Sequence, residues 1–170
     1  MRILFICQAN MCRSPMAEAL ARKLAAEQGL GDRVQFRSAG LWAADGLEAV
    51  DEAVTIAEEY GADLRAHHTT PFCLQVAHWA DYIIAMTRGQ KADIVRRLPI
   101  LRTRVYTLAE WVREVTGRKP RWRDVEDPVG GTEERFRKCA ALLHQALSDV
   151  LSVLAGATPR RRGVLMRLFP

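Results

Sequence analysis

The feature that most constrains this chain is an alternation of short apolar runs with segments of helical spacing, each junction marked by polar or glycine-bearing residues. The first run, Arg2 to Cys7, is broken by Gln8-Ala9-Asn10, and helical spacing then holds from Ser14 to Gln28. Further strands are predicted over Val34 to Ser38, Asp81 to Met86 and Arg104 to Thr107. Further helices are predicted over Leu47 to Tyr60, Thr87 to Arg97 and Leu108 to Val115. Pro15 falls in a first helical turn, where its missing N–H does no harm, and Gly61 and Pro99 stand where helices should stop. A last helix, Glu133 to Leu154, carries Phe136, Ala140, Leu143, Leu147, Val150, Leu151 and Leu154 at helical spacing. Strands that alternate with helices imply an α/β fold with a parallel sheet covered on both faces. Such sheets bind ligands at the carboxyl ends of their strands, near the topological switch point, and Cys7 ends the first strand.

At 170 residues the chain suits one domain with one core, expected over residues 1–155, followed by a basic tail from 156 to 170. The opening apolar run is too short for a signal-peptide core or a membrane span, so a cytoplasmic protein is expected. In a reducing compartment four cysteines do not make a disulfide scaffold, and Cys7 and Cys12 call for a chemical explanation. Cys73 and Cys139 read most simply as core or helix-face residues. No CxxC pair, HExxH or carboxylate-rich loop suggests a metal. The net charge of +5 owes much to Arg160, Arg161, Arg162 and Arg167, and the remaining 21 basic residues face 20 acidic ones. No domain-wide basic face argues for nucleic acid. The tail could dock an anionic membrane or an acidic partner, although a solvated end is the favoured reading.

The decisive segment is Cys7-Gln8-Ala9-Asn10-Met11-Cys12-Arg13-Ser14-Pro15, a Cys-x5-Arg-Ser loop between a strand and a helix. A loop entering a helix turns successive backbone N–H groups into one concavity that binds anions. Arg13 adds a planar fork suited to two oxygens of a phosphoryl group. The same groups stabilise a thiolate at Cys7, which makes it a nucleophile beneath a bound phosphate. Asn10 tolerates the left-handed backbone that a tight loop needs somewhere. Spacing alone leaves open a buried apolar Cys7 and a surface Arg13.

On these residues the chain resembles the low-molecular-weight protein tyrosine phosphatases. Arg37-Ser38-Ala39-Gly40 is similar to that family's second-strand signature, and Asp127-Pro128 to its general-acid motif, so the likeness covers roughly residues 1–155. The resemblance implies a four-stranded parallel sheet flanked by helices, a phosphocysteine intermediate, phosphorylated protein substrates and no cofactor. It implies that Cys7, Arg13 and Asp127 are catalytic and that Gln8 through Ser14 bind the phosphate. It also implies that Ser14 hydrogen-bonds the sulfur and that Asn10, Ser38 and His67 form a buried polar network. One carboxyl group can protonate the leaving oxygen and then activate water. Pro128 stiffens the backbone at Asp127, while Asp124 and Glu126 remain rivals on sequence alone. Cys12 could capture an oxidised Cys7 as a disulfide, or simply pack beneath the loop.

The sequence departs from the family pattern in three places. Ala9 replaces the usual loop glycine, which is tolerable only where φ is negative. Met11 is apolar, which in this family accompanies phosphotyrosine preference, whereas the arginine-phosphatase branch carries threonine. Val129-Gly130-Gly131 follows Asp127-Pro128 where many tyrosine-specific members place aromatics, and a double glycine is familiar from bacterial members, the arginine branch among them. Trp42 could supply an aromatic wall or pack on the surface. A protein phosphatase is therefore expected, acting on phosphotyrosine, with phosphoarginine as the alternative. An arsenate reductase would need a further redox cysteine pair, and Thr87 to Arg97 contains no cysteine. A non-catalytic phosphate-binding module would be expected to lack Cys7, Arg13 or Asp127, and all three are present.

Overall fold

Strand β1 (Arg2–Cys7) is buried from Ile3 onward, as its unbroken apolar run requires of a strand covered on both faces. The computed structural model describes residues 1–156. After β1 come helix α1 (Arg13–Glu27), strand β2 (Gln35–Gly40), helices α2 (Asp51–Glu59) and α3 (Leu74–Trp79), and strand β3 (Tyr82–Ala85). Helix α4 (Arg88–Arg97), a 3-10 helix (Pro99–Arg104), strand β4 (Val105–Thr107) and helices α5 (Leu108–Thr116) and α6 (Glu133–Gly156) complete it. The four strands form one parallel sheet in the order β2-β1-β3-β4, with Cys7 opposite Gly40. The chain leaves β1 toward β2 and later returns to its other side with β3. The carboxyl end of β1 is therefore the switch point, where the flanking connections diverge and leave a crevice.

Period-two alternation along β1 divides the interior. Ile3, Phe5 and Cys7 belong to a core shared with α1, α2, α5 and α6, while Leu4 and Ile6 meet Ala77, Ile94 and Leu101 on the opposite face. Helix α6 is long and apolar enough to cross a membrane, but its Phe136, Leu143, Leu147, Val150 and Leu151 are buried in the first core. Truncating one of those leucines to alanine would cost about 2–5 kcal/mol.

Four elements differ from the sequence expectation. Helix α2 starts at Asp51 rather than Leu47 because the backbone before it is committed elsewhere: Glu48 bridges His68, and Val50 N–H donates to the Met11 carbonyl at 3.0 Å. Helix α3, six residues long, is too short to display a helical period, and was not foreseen. Helix α4 ends at Arg97 ahead of Pro99, as expected, and Pro99 also opens an unforeseen 3-10 helix, since a first turn needs no N–H from it. Strand β2 also runs two residues past Ser38, in step with β1.

Candidate active site

The phosphate loop is shaped around Asn10. Its φ of 59° makes it the one non-glycine residue in the left-handed region among those described, so Ala9 escapes the strain its Cβ would otherwise bring. Asn10 is fully buried, and every polar group on its side chain is used. Nδ2 donates to Ser14 Oγ and to Ser38 Oγ, both at 2.9 Å, and Oδ1 accepts from Thr70 N–H at 2.8 Å. The Asn10 carbonyl lies 2.8 Å from His67 Nε2. One residue thus ties the loop to β2 and to the segment after α2.

Cys7 Sγ stands at the bottom of this loop, 2.9 Å from Ser14 Oγ and 3.3 Å from the Asn10 N–H that donates to it. Both contacts are polar groups suited to stabilise negative charge on sulfur. Gly40 makes the loop's position possible. A Cβ there would lie 2.8 Å from Ala9 C, Asn10 N and Gln8 O, all backbone atoms. Leu41 N–H and Trp42 N–H then donate to the Cys7 and Gln8 carbonyls at 3.0 and 2.9 Å. Trp42 is therefore fixed to the loop by its backbone while its ring is 65% exposed, with the Arg97 guanidinium 4.2 Å from the ring centre.

The loop before α6 folds back over this site. Val125 N–H donates to the Met86 carbonyl at 2.8 Å, which docks the segment at the end of β3. Arg13, only 5% exposed, donates through Nη1 to the Val125 carbonyl at 3.2 Å and through Nη2 to Asp127 Oδ2. The other oxygen of Asp127 accepts from Val129 N–H at 3.3 Å. Asp124 is occupied elsewhere: it accepts from Arg88 N–H at the start of α4 at 2.7 Å and from the Arg88 guanidinium at 2.9 Å. That guanidinium holds the Asp124 carboxyl below the usual carboxylate range. Glu126 is exposed and has no hydrogen-bond or ion-pair partner among the described residues. Of the three carboxylates, Asp127 alone reaches Arg13.

Burial, with the neighbouring Cys139 and Cys7, pushes the Cys12 thiol well up, and burial raises Cys139 to about 12. Cys73 is exposed at the head of α3. Among the described residues no cluster of His, Cys, Asp and Glu could hold a metal ion.

Comparison with known proteins agrees with this architecture. The family model for low molecular weight phosphotyrosine protein phosphatases matches residues 2–159. The chain belongs to that family. It is accordingly a cysteine-dependent phosphatase whose substrates are phosphorylated proteins. A protein-arginine-phosphatase of Geobacillus stearothermophilus is 39% identical over 136 residues, covering 80% of this chain and 84% of that one. A low molecular weight protein-tyrosine-phosphatase of Streptomyces coelicolor is 31% identical, covering 90% and 93%. A solved structure of the YwlE arginine phosphatase, a mutant with a phosphorylated active-site serine, superposes with a TM-score of 0.82 at 33% identity, covering 95% and 99%.

Sequence reasoning did not single out Gly40, Thr70, Val125 and Arg88 as parts of the site. Gly40 lay within the quoted signature without a stated role, and its parallel register with Cys7 supplies one. The other three act through backbone groups or through a partner distant in sequence. The basic tail expected over 156–170 lies almost wholly outside the described residues.

Proposed function

We propose that Cys7 is the nucleophile, Arg13 the phosphate clamp and Asp127 the general acid and base of a phosphotyrosine-protein phosphatase. The observation that carries this reading is that Arg13, which closes the loop opened by Cys7 at the end of β1, holds the Asp127 carboxyl group. In the first step the Cys7 thiolate attacks phosphorus in line with the leaving oxygen. The P–O bond breaks as Asp127 gives its proton to that oxygen, leaving phosphocysteine and a free hydroxyl group. In the second step Asp127, now a carboxylate, takes a proton from water, whose oxygen attacks phosphorus. The P–S bond breaks, the thiolate returns and inorganic phosphate departs. Ser14 assists both steps by hydrogen-bonding the sulfur. Asn10, Ser38 and His67 act as positioning residues, and the N–H groups from Gln8 to Ser14 surround the equatorial oxygens. An incoming phosphate competes with Asp127 for Arg13, which frees the carboxyl group to reach the leaving oxygen.

Two features support phosphotyrosine. Met11 offers an apolar contact for a phenyl ring, and the exposed Trp42 ring is held to the phosphate loop by its backbone. The names of the arginine-phosphatase relatives, together with Val129-Gly130-Gly131, favour phosphoarginine as the second reading. A reducing cytoplasm suits a free nucleophilic thiol. The test is steady-state turnover of matched phosphotyrosine and phosphoarginine peptides by the wild type, Cys7→Ser and Asp127→Asn. Retained turnover in Cys7→Ser would refute the mechanism. A higher kcat/KM for phosphoarginine would overturn the substrate assignment alone.

A further inference from the structure

A second site lies on the same edge of the sheet. Between α5 and the segment that follows it is a cavity of about 340 Å³, whose lining includes Arg88, Arg113, Lys119, Arg123, Glu110 and Trp122. Its charges do not cancel. Glu110 is bound by Lys91 Nζ at 2.7 Å, and Arg88 is neutralised by Asp124. Arg113, Lys119 and Arg123 are exposed and form no ion pair among the described residues. Arg113 and Arg123 also feel Glu110 and Asp124, yet five cations (Arg88, Lys91, Arg113, Lys119, Arg123) face those two carboxylates. An excess of three positive charges around one concavity, with an indole beside it, attracts carboxylates more strongly than scattered surface charges do.

The position of the cavity makes this electrostatic feature relevant to the substrate. Thr107 ends β4 and lines the cavity, while Cys7 ends β1, and β4 stands two places from β1 in a parallel sheet. At about 4.8 Å per strand the two carboxyl ends are separated laterally by roughly 10 Å. An extended peptide spans that distance in about three residues. The two places are also joined covalently. Arg123 at the cavity leads through Asp124 into Val125, whose carbonyl binds Arg13, and into Asp127.

We propose that this cavity is a docking site for an acidic stretch of the substrate protein, about three or four residues from the phosphorylated side chain. The inference rests on the phosphatase reading above and extends it to substrate choice. Cations at the rim raise the encounter rate and hold the flank, while the chemistry stays with Cys7, Arg13 and Asp127. The benefit therefore appears in kcat/KM and KM, not in kcat.

The test compares peptide pairs that differ only in carrying an Asp-Glu pair or an Asn-Gln pair three to four residues to either side of the phosphorylated residue. Each pair is made with phosphotyrosine and with phosphoarginine, and para-nitrophenyl phosphate reports turnover without any flank. The wild type should favour an acidic flank by about three- to tenfold in kcat/KM, the worth of one or two exposed ion pairs. The preference should fade as salt rises toward 1 M. Arg113→Glu combined with Lys119→Glu should abolish or invert it and leave para-nitrophenyl phosphate turnover unchanged, while Lys119→Arg should retain it. Equal rates for the two flanks in the wild type, with para-nitrophenyl phosphate hydrolysed normally, would overturn the docking site and leave the phosphatase reading intact. Failure to hydrolyse any of these substrates would instead refute the phosphatase reading. In that event, binding of the paired peptides to the wild type, read by fluorescence polarisation, still decides the docking site: equal affinity for both flanks overturns it. Stronger competition by single-stranded polynucleotide than by the acidic peptide would also overturn it.

Discussion

Gly40→Ala is a one-carbon perturbation that probes how closely β2 supports the phosphate loop. The added Cβ would stand 2.8 Å from three backbone atoms of Gln8, Ala9 and Asn10. Ordinary carbon contacts begin near 3.4 Å, so strand or loop must yield by roughly 0.6 Å. No flexible side chain can absorb that movement, because all three obstructing atoms are main chain. The loop is also tied to β2 and to its neighbouring segment by the Asn10 bonds to Ser38 and Thr70, so it cannot lift away from Gly40 without breaking them. Overpacking of this kind costs about 1–3 kcal/mol, and for a domain of this size Tm falls by about 2–4 °C per kcal/mol. The catalytic cost should be larger in proportion. A misplacement near 1 Å can remove about 10² in rate, so a shift of somewhat more than half that should lower kcat by about 10- to 10²-fold. Turnover of para-nitrophenyl phosphate, vanadate inhibition and a thermal melt measure the three consequences. Wild-type kcat with wild-type Tm would refute the argument, since it would mean that the loop is not seated against β2 as described. A lowered Tm with unchanged kcat would show that the strain is taken up in the sheet and not in the loop.

Asp127→Asn should reduce turnover of phenyl phosphates by about 10²–10⁴, with a smaller loss for good leaving groups, and Asp124→Asn should not reproduce that leaving-group dependence. Asp124 gives a separate pH signature. Its folded carboxyl is held below its ordinary value by Arg88, so its stabilising effect is present above the unfolded pKa and is lost as pH falls through the folded one. Chemical denaturation followed from pH 6 downward should therefore show a shallower loss of stability in Asp124→Asn than in the wild type below about pH 4. Met11→Thr should move the ratio of kcat/KM toward phosphoarginine, and phosphoserine peptides should be poor substrates because their short side chain cannot reach a recessed thiolate. Peroxide should inactivate the enzyme, with a thiol reductant restoring it and peptide mapping joining Cys7 to Cys12; a link from Cys7 to Cys73 or Cys139 would refute the role given to Cys12.

Much of this protein is determined locally and can be read along the chain. The run from Ile3 to Cys7 is apolar without interruption because both faces of β1 are covered, and the spacing of Phe136, Leu143, Leu147 and Leu154 marks the buried stripe of α6. The loop after β1 is similarly local: Cys7, left-handed Asn10, Arg13 and the start of α1 lie within nine residues of sequence, so short-range geometry leaves its mark on residue type. What the tertiary structure decided is which distant groups meet that loop. The likeness to the family's acid motif favours Asp127 over its rivals Asp124 and Glu126, and the tertiary structure separates them physically through the Arg88 pairing at the head of α4 and the Arg13 contact. Helix α2 begins four residues late because Glu48 and Val50 bond across to His68 and Met11. Thr70 and Val125 contribute backbone atoms, which every residue type possesses and no sequence pattern marks. The basic cavity beside α5 arises in the same way, from ion pairs that tie up Arg88 and Glu110 and leave an excess of positive charge on Arg113, Lys119 and Arg123. Periodicity records burial, which repeats along an element. Pairing between loops is a single event at one distance, and it leaves no period to read.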